Sequence, residues 1–313
     1  MHYPVLLRES LEYLNLQRDG VYGDVTAGLG GHTAAIAARL QELGGTGWVL
    51  ACDRDAESLE IARKNVAQAN PPDMSSRIRF RQALFSELEE TLAAEKLPQL
   101  HGLLADLGVS RYQLTGSERG FSLMADGPLD MRMSRGQGQT AADLVNYESE
   151  GNLANLIYRL GEERRSRQIA RAIVRARPIT TTLQLAKLIE GVAPRTGQYG
   201  NKRKGRGAHR FARVHEIHPA TQTFMALRMA VNRELEELDA LLDLIPRIVK
   251  PGGRAVVITF MSIEDRKVKQ SFRDMAQAGR ARLVNRHVVR PGEEEIQENP
   301  PSRSAKLRAL EIL

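Results

Sequence analysis

Cysteine is almost absent from this chain. Cys52 is the only one in 313 residues, so no internal disulfide can form, and its place in an apolar run reads as a small core residue rather than a nucleophile. The seven histidines make no H-x-x-x-H pair and have no cysteine partners at zinc spacing, which predicts no metal. No apolar run approaches a membrane span. The opening Met1-His-Tyr-Pro-Val-Leu-Leu-Arg-Glu9 also lacks the apolar core of a signal peptide. These absences predict a cytoplasmic protein with no membrane partner.

What is present fits a basic globular protein. A hydrophobic content of 42% supports a real core, and the length suggests about two domains. The formal net charge of +7 and pI near 9.7 favour contact with nucleic acid.

The most informative stretch is Asp24-Val-Thr-Ala-Gly28-Leu-Gly30-Gly31-His32-Thr33. It lies where an apolar strand, Val21 to Val25, hands over to a helix beginning near Thr33, the position at which open α/β proteins bind nucleotides. A dinucleotide fingerprint reads G-x-G-x-x-G; here Thr33 occupies the place of the last glycine, which disfavours a pyrophosphate cradle. Asp-x-Thr-x-Gly-x-Gly-Gly is more similar to the first motif of S-adenosylmethionine-dependent methyltransferases. A plain tight turn is the alternative at this point.

Three more strand ends converge on that turn. Gly47 to Cys52 is a buried-strand run ending in Asp53-Arg-Asp55; Asp53 is placed to accept hydrogen bonds from a ribose diol, and Asp55 to cap the helix Ala56 to Ala69. Ile78 to Leu84 alternates like an edge strand and leads into Phe85, whose ring either lies against an adenine or packs in the core. Leu100 to Val109 is a fourth strand with Asp106 at its carboxyl end. A fifth follows a turn at Val249 to Phe260, and Leu283 to Val289 with Lys306 to Ile312 read as a closing antiparallel pair.

Between the fourth and fifth strands lies too much chain for one crossover. Segments 140–147, 151–160, 162–176 and 181–191 have helical character, so the reading is a methyltransferase-like sheet domain, 1–113 and 217–313, interrupted by an inserted helical substrate-recognition domain, 114–216. A basic stretch, Arg195 to Arg213, contains Lys202, Arg203, Lys204 and Arg206 and no acid; it is either a phosphate grip or a solvated loop. From His218-Pro219 a long amphipathic helix carries Phe224, Leu227, Val231, Leu235, Leu238 and Leu242 back to the sheet. Asp130 and Arg132 either hold a nucleotide or form a docking salt bridge.

Taken in order, His2-Tyr-Pro-Val-Leu-Leu-Arg-Glu, Gly28-Leu-Gly-Gly-His-Thr, Asp53-Arg-Asp, Asp106-Leu-Gly-Val-Ser, Glu118-Arg-Gly-Phe-Ser, Asp126-Gly-Pro-Leu-Asp-Met-Arg, Gly161-Glu-Glu-Arg, His218-Pro-Ala-Thr-Gln-Thr-Phe and Arg290-Pro-Gly-Glu-Glu-Glu-Ile resemble the bacterial 16S rRNA (cytosine-N4)-methyltransferase family over essentially the whole chain. The resemblance implies an α/β class I, Rossmann-like methyltransferase fold with a helical insertion. It also implies S-adenosylmethionine as cofactor and, as partner, 16S rRNA in the small ribosomal subunit, methylated in its decoding region. The family's cofactor positions fall on Gly30, Gly31, His32, Asp53, Phe85, Asp106 and Gln113, and Asp106 is also the candidate catalytic acceptor. The chain departs from the family pattern at Arg111, Tyr112 and Met261. Two other classes share parts of these features: a nucleotide-dependent oxidoreductase, which wants a glycine at 33, and a non-catalytic RNA-binding ribosome-assembly factor.

Overall fold

The computed structural model describes residues 4–110, 112, 113, 116–136, 138–193 and 218–313. Two compact units divide it: Met1–Tyr112 with Glu234–Leu313, and Gln113–Arg233.

The first unit is built on one seven-stranded sheet. Its strands are β1 (Val21–Asp24), β2 (Trp48–Asp53), β3 (Ile78–Gln82), β4 (Leu100–Asp106), β5 (Val249–Thr259), β6 (Ala281–Leu283) and β7 (Lys306–Ile312), in the order β3-β2-β1-β4-β5-β7-β6. The first five are parallel, and β7 runs antiparallel to both β5 and β6. This is the expected Rossmann-like α/β sheet, and the strand order reverses between β1 and β4, which opens a crevice beyond their carboxyl ends. Continuous apolar runs build the central strands because both faces are covered. Helices Leu7–Leu14, Gly31–Glu42 and Ala56–Ala69 supply Leu14, Ile36, Leu40, Leu59 and Val66 to the core on one face. Helices Glu234–Ile248 and Ser262–Gln277 supply Leu238, Leu242, Val268 and Phe272 to the core on the other.

Two boundaries differ from expectation. The closing strand expected over 283–289 is shorter and earlier: β6 covers Ala281–Leu283, and Val289 reaches Leu307 only through an isolated bridge. The helix expected to run unbroken from 219 is two helices, Thr221–Val231 and Glu234–Ile248. The chain therefore re-enters the sheet unit at Glu234 rather than 217.

The second unit explains that shift. It contains helices Ala141–Tyr147, Glu150–Gly161, Ser166–Ala176 and Thr182–Val192 together with Thr221–Val231. Gly161 lets helix Glu150–Gly161 cross Thr221–Val231 closely, since a Cβ there would lie 2.4 Å from the Gln222 carbonyl oxygen. The break that follows is held by one side chain. Buried Asn232 accepts from Met133 N at 2.8 Å and donates to Met131 O at 2.7 Å and Arg228 O at 2.9 Å, and Arg233 then takes a positive φ of 49°. Asp130 and Arg132 pair with each other through two hydrogen bonds, at 2.7 and 2.9 Å.

Asn232→Ala strands the Met133 N–H and the Met131 carbonyl in a buried place. The expected loss, measured by urea unfolding, is about 2–4 kcal/mol at the usual cost of unsatisfied buried groups; a loss under about 0.5 kcal/mol contradicts this role.

Candidate active site

The glycine turn between β1 and helix Gly31–Glu42 depends on backbone that only glycine accommodates. Gly28 and Gly30 have φ of 52° and 89°, and a Cβ on Gly30 would lie 2.7 Å from Val66 Cγ2 and 3.1 Å from the Ala62 backbone. The turn is tied to the neighbouring strand end. Gly28 N donates to Asp53 Oδ2 at 2.7 Å, and Asp55 N donates to Asp53 Oδ1 at 2.8 Å. Asp55 caps its helix through Glu57 N and Ser58 N. Each Asp53 oxygen spends one acceptor position on backbone and keeps another.

A second layer of contacts joins β1 to β4. Asp24 is fully buried, accepting from Thr33 Oγ1 at 2.6 Å and Thr26 N at 3.3 Å. Thr26 Oγ1 accepts from Asp106 N at 2.6 Å. The Asp106 side chain is about one-fifth exposed, with Oδ2 3.8 Å from His32 Nδ1, while its Oδ1 is buried without a hydrogen-bond partner. His32 itself is buried, and its Nε2 lies 3.0 Å from Val5 O.

Three carboxylates thus meet around one turn, with no lysine or arginine in ion-pair contact among the described residues. Burial, more than any partner, sets their titration. It pushes the Asp24 and Asp53 carboxyls up to about 6 from an ordinary 3.8, against the hydrogen bonds that pull them down. Asp106 is pushed well above the ordinary carboxylate range by burial first, then by the charges of Asp24, Glu264 and Glu295. The crevice is therefore acidic in a protein whose net charge is positive. A phosphate is repelled there, and the N–H groups of Gly28 and Gly30 are already engaged, the second by Ala27 O at 2.7 Å.

A sequence profile of the MraW methylase family matches residues 1–313. The chain belongs to that family. It is 51% identical over 312 residues to the Ribosomal RNA small subunit methyltransferase H of Solibacter usitatus, with 100% of both chains covered. It is 46% identical to the protein of the same name from Acidobacterium capsulatum, covering 99% of this chain and 98% of that one. Among solved structures, an rRNA methylase from Streptococcus thermophilus aligns with a TM-score of 0.42 at 11% identity, covering 100% of this chain and 99% of that one. A Streptococcus mutans protein in complex with SAH aligns with a TM-score of 0.45 at 9% identity, covering both chains fully.

Of the residues expected at a methylase cofactor site, Gly30, Gly31, His32, Asp53 and Asp106 come together around the turn. The His32 ring is spent on the amino-terminal segment and on the approach to Asp106. Phe85 opens a 3-10 turn and is half-buried against the sheet core. Gln113 is buried in the second unit. Lys202, Arg203, Lys204 and Arg206 lie outside the described residues, as does Arg111. Met261 starts the helix Ser262–Gln277, where its N–H donates to Glu264. Among the described residues no group of three His, Cys, Asp or Glu gathers to hold a metal, and no helix is long and apolar enough to cross a membrane. Asp24, Thr26 and Thr33 carry no role in the sequence reading, although their spacing inside the glycine motif is the available signal.

Asp24 supplies a stability test. Its folded pKa is raised, so the stability it contributes is fully present below about pH 3.8 and lost as pH rises through about 6. Asp24→Asn keeps an acceptor for Thr26 N and gives Thr33 Oγ1 a donor in place of its acceptor, without the charge. At pH 7 it is expected to raise the unfolding free energy by up to about 3 kcal/mol and to flatten the fall between about pH 4 and 7. Urea unfolding across that range decides it, and a parent-like pH dependence contradicts the assignment.

Proposed function

We propose that this protein transfers the methyl group of S-adenosylmethionine to the exocyclic N4 amine of a cytosine in the decoding region of 16S rRNA. The observation that carries the reading is the cluster of Asp24, Asp53 and Asp106 around the glycine turn. Such a crevice attracts the sulfonium and ammonium charges of S-adenosylmethionine and repels the pyrophosphate of a nicotinamide cofactor, which weighs against the oxidoreductase reading. Membership of a methylase family weighs against a purely non-catalytic assembly factor. The relatives' name supports small-subunit rRNA as the substrate.

The residues fit that cofactor. Asp53 has free acceptor positions for a ribose diol, Asp106 Oδ1 is a buried acceptor in want of a donor, and at Gly28, where a Cβ would meet nothing nearer than Thr26 O at 3.8 Å, the turn leaves room for close approach. Phe85 and Gln113 complete the assigned set. When bound, S-adenosylmethionine supplies a methyl on sulfur open to attack by a nucleophile. The cytosine amine is a weak nucleophile because its lone pair is delocalised into the ring, so the protein must orient it and accept one of its protons. Asp106 is the acceptor assigned here, with a cofactor-anchoring role first. Tyr112, 40% exposed, offers a face for the base once it is splayed from its stack.

The small subunit, assembled or nearly so, is the preferred substrate, because folded RNA must present the target. The protein acts in the cytoplasm, where those subunits are made. Lys202, Arg203, Lys204 and Arg206 grip phosphates.

Labelled S-adenosylmethionine incubated with undermodified small subunits is expected to yield N4-methylcytidine on nucleoside mass analysis. A product of 5-methylcytidine, ribose-methylated cytidine or methylated adenosine overturns the assignment.

Two variants separate the carboxylate roles in calorimetry and turnover assays. Asp53→Ala is expected to weaken S-adenosylmethionine binding by roughly 1.5–3 kcal/mol. Asp106→Asn is expected to cut turnover and to weaken cofactor binding as well; lost turnover at unchanged affinity would reassign Asp106 to the amine alone. Unchanged affinity in Asp53→Ala removes the diol contact.

A further inference from the structure

The inserted unit carries one surface whose charge the fold does not use. Between Glu163 and Glu190 the chain has no acidic residue but six arginines and Lys187. Helix Ser166–Ala176 runs through the middle of this stretch and buries Ile169, Ala170 and Ile173. At 3.6 residues per turn, Arg167, Arg171 and Arg175 fall within an arc of about 80° on the opposite side, spread over about 12 Å of helix axis. All three are exposed.

Most of what could neutralise them is missing. Arg167 and Arg175 form no ion pair among the described residues. Arg171 meets Glu150 at 3.5 Å, with both side chains largely exposed, a pairing of little energetic weight. Arg177, by contrast, is absorbed by the fold: its Nε donates to Val145 O at 2.8 Å and its Nη2 to Glu148 O. Like charges at i, i+4 repel along a helix, so the stripe costs the isolated unit stability. A solvated face needs only mixed charge, and lysine would serve it as well. Arginine of one sign, at one spacing, suits the planar forks that phosphates accept.

An exposed aromatic side chain belongs to the same unit. Arg177 ties the carboxyl end of helix Ser166–Ala176 to the segment Val145–Glu148, and within that segment Tyr147 is 82% exposed. A cationic track and an exposed ring on one small unit are the two components that bind single-stranded nucleic acid, phosphates along the charges and a base on the ring.

We infer that Arg167, Arg171 and Arg175, with Tyr147, form a docking surface for a single-stranded segment of RNA. The inference rests on the RNA-methylating function proposed above, and it assigns binding to described residues separate from the 202–206 stretch. The surface contacts the substrate outside the cofactor crevice, so it governs capture of RNA rather than affinity for cofactor.

The test uses the full chain, a short fluorescein-labelled single-stranded RNA and undermodified small subunits. Replacing Arg167, Arg171 and Arg175 together with Gln is expected to weaken RNA binding at least about tenfold and to reduce the log–log salt slope by up to about 2, near 0.7 for each single-strand phosphate contact. Tyr147→Ala is expected to weaken binding about fivefold or more with the salt slope unchanged. Calorimetric affinity for S-adenosylmethionine should stay at the parent value in both, and the thermal midpoint should not fall below the parent's in the stripe variant. A control removing the same charge from the sheet unit, Lys64, Arg280 and Arg303 to Gln, should leave the slope near that of the parent. An unchanged slope in the stripe variant, or an equal reduction in the control, overturns the surface. Failure of the parent to methylate cytosine, with RNA still bound through this face, instead overturns the proposed reaction.

Discussion

The structure turns on buried carboxylates that, among the described residues, form no ion pair with lysine or arginine. Asp24 sits wholly buried behind the glycine turn, Asp53 holds that turn by its Gly28 N–H, and Asp106 presents an unpartnered Oδ1 to the same crevice. Burying ionised oxygen without a countercharge is unfavourable, and the raised titration of all three measures that cost. Natural proteins keep such cost where function needs it. Here the missing countercharge is what a cationic cofactor would bring.

The scaffold explains why these groups can be held together. β1, β2 and β4 end side by side in register, with Asp24 paired to Ala51 and Leu104 across the ladder, and the order reverses at that point. Turns leaving neighbouring parallel strands then share one crevice without a long loop. Rigid strands fix the carboxylates, and the backbone of the turn is fixed in turn by Asp53. The amino-terminal segment adds a third support. Val5 O meets His32 Nε2, Leu6 N donates to Glu295 Oε1 at 2.8 Å, and Pro4 packs where a Cβ on Gly31 would stand.

Much of this was legible in the sequence, for identifiable reasons. Apolar runs ending in Asp53 and Asp106 marked buried parallel strands and the carboxyl ends that meet at the crevice, and the glycine spacing marked the turn. The division of labour between Asp53 and Asp55 followed from having two carboxylates and one helix to cap. What escaped depends on distant contacts. The helix Leu7–Leu14 is short, and the pattern over residues 1–9 predicts no element there. The long amphipathic helix kept its apolar stripe, but the stripe hides a break: Phe224 and Leu227 are buried in one unit, Leu238 and Leu242 in the core of the other. Asn232 makes that break through partners about a hundred residues earlier, which no local pattern reveals. Asp24 falls inside the expected strand Val21 to Val25, but its full burial is a property of the assembled sheet.

The central claim, that a cationic cofactor completes a cluster of buried carboxylates, is tested most directly by counting protons. Near pH 6 the Asp24 and Asp53 carboxyls are partly protonated in the free protein, and a bound cation favours their ionised forms. Titrating S-adenosylmethionine calorimetrically near pH 6, in buffers of different ionisation enthalpy, gives the number of protons exchanged. The account predicts net proton release, and the part contributed by Asp24 and Asp53 fades by about pH 8. Proton uptake, or no exchange across that range, contradicts it.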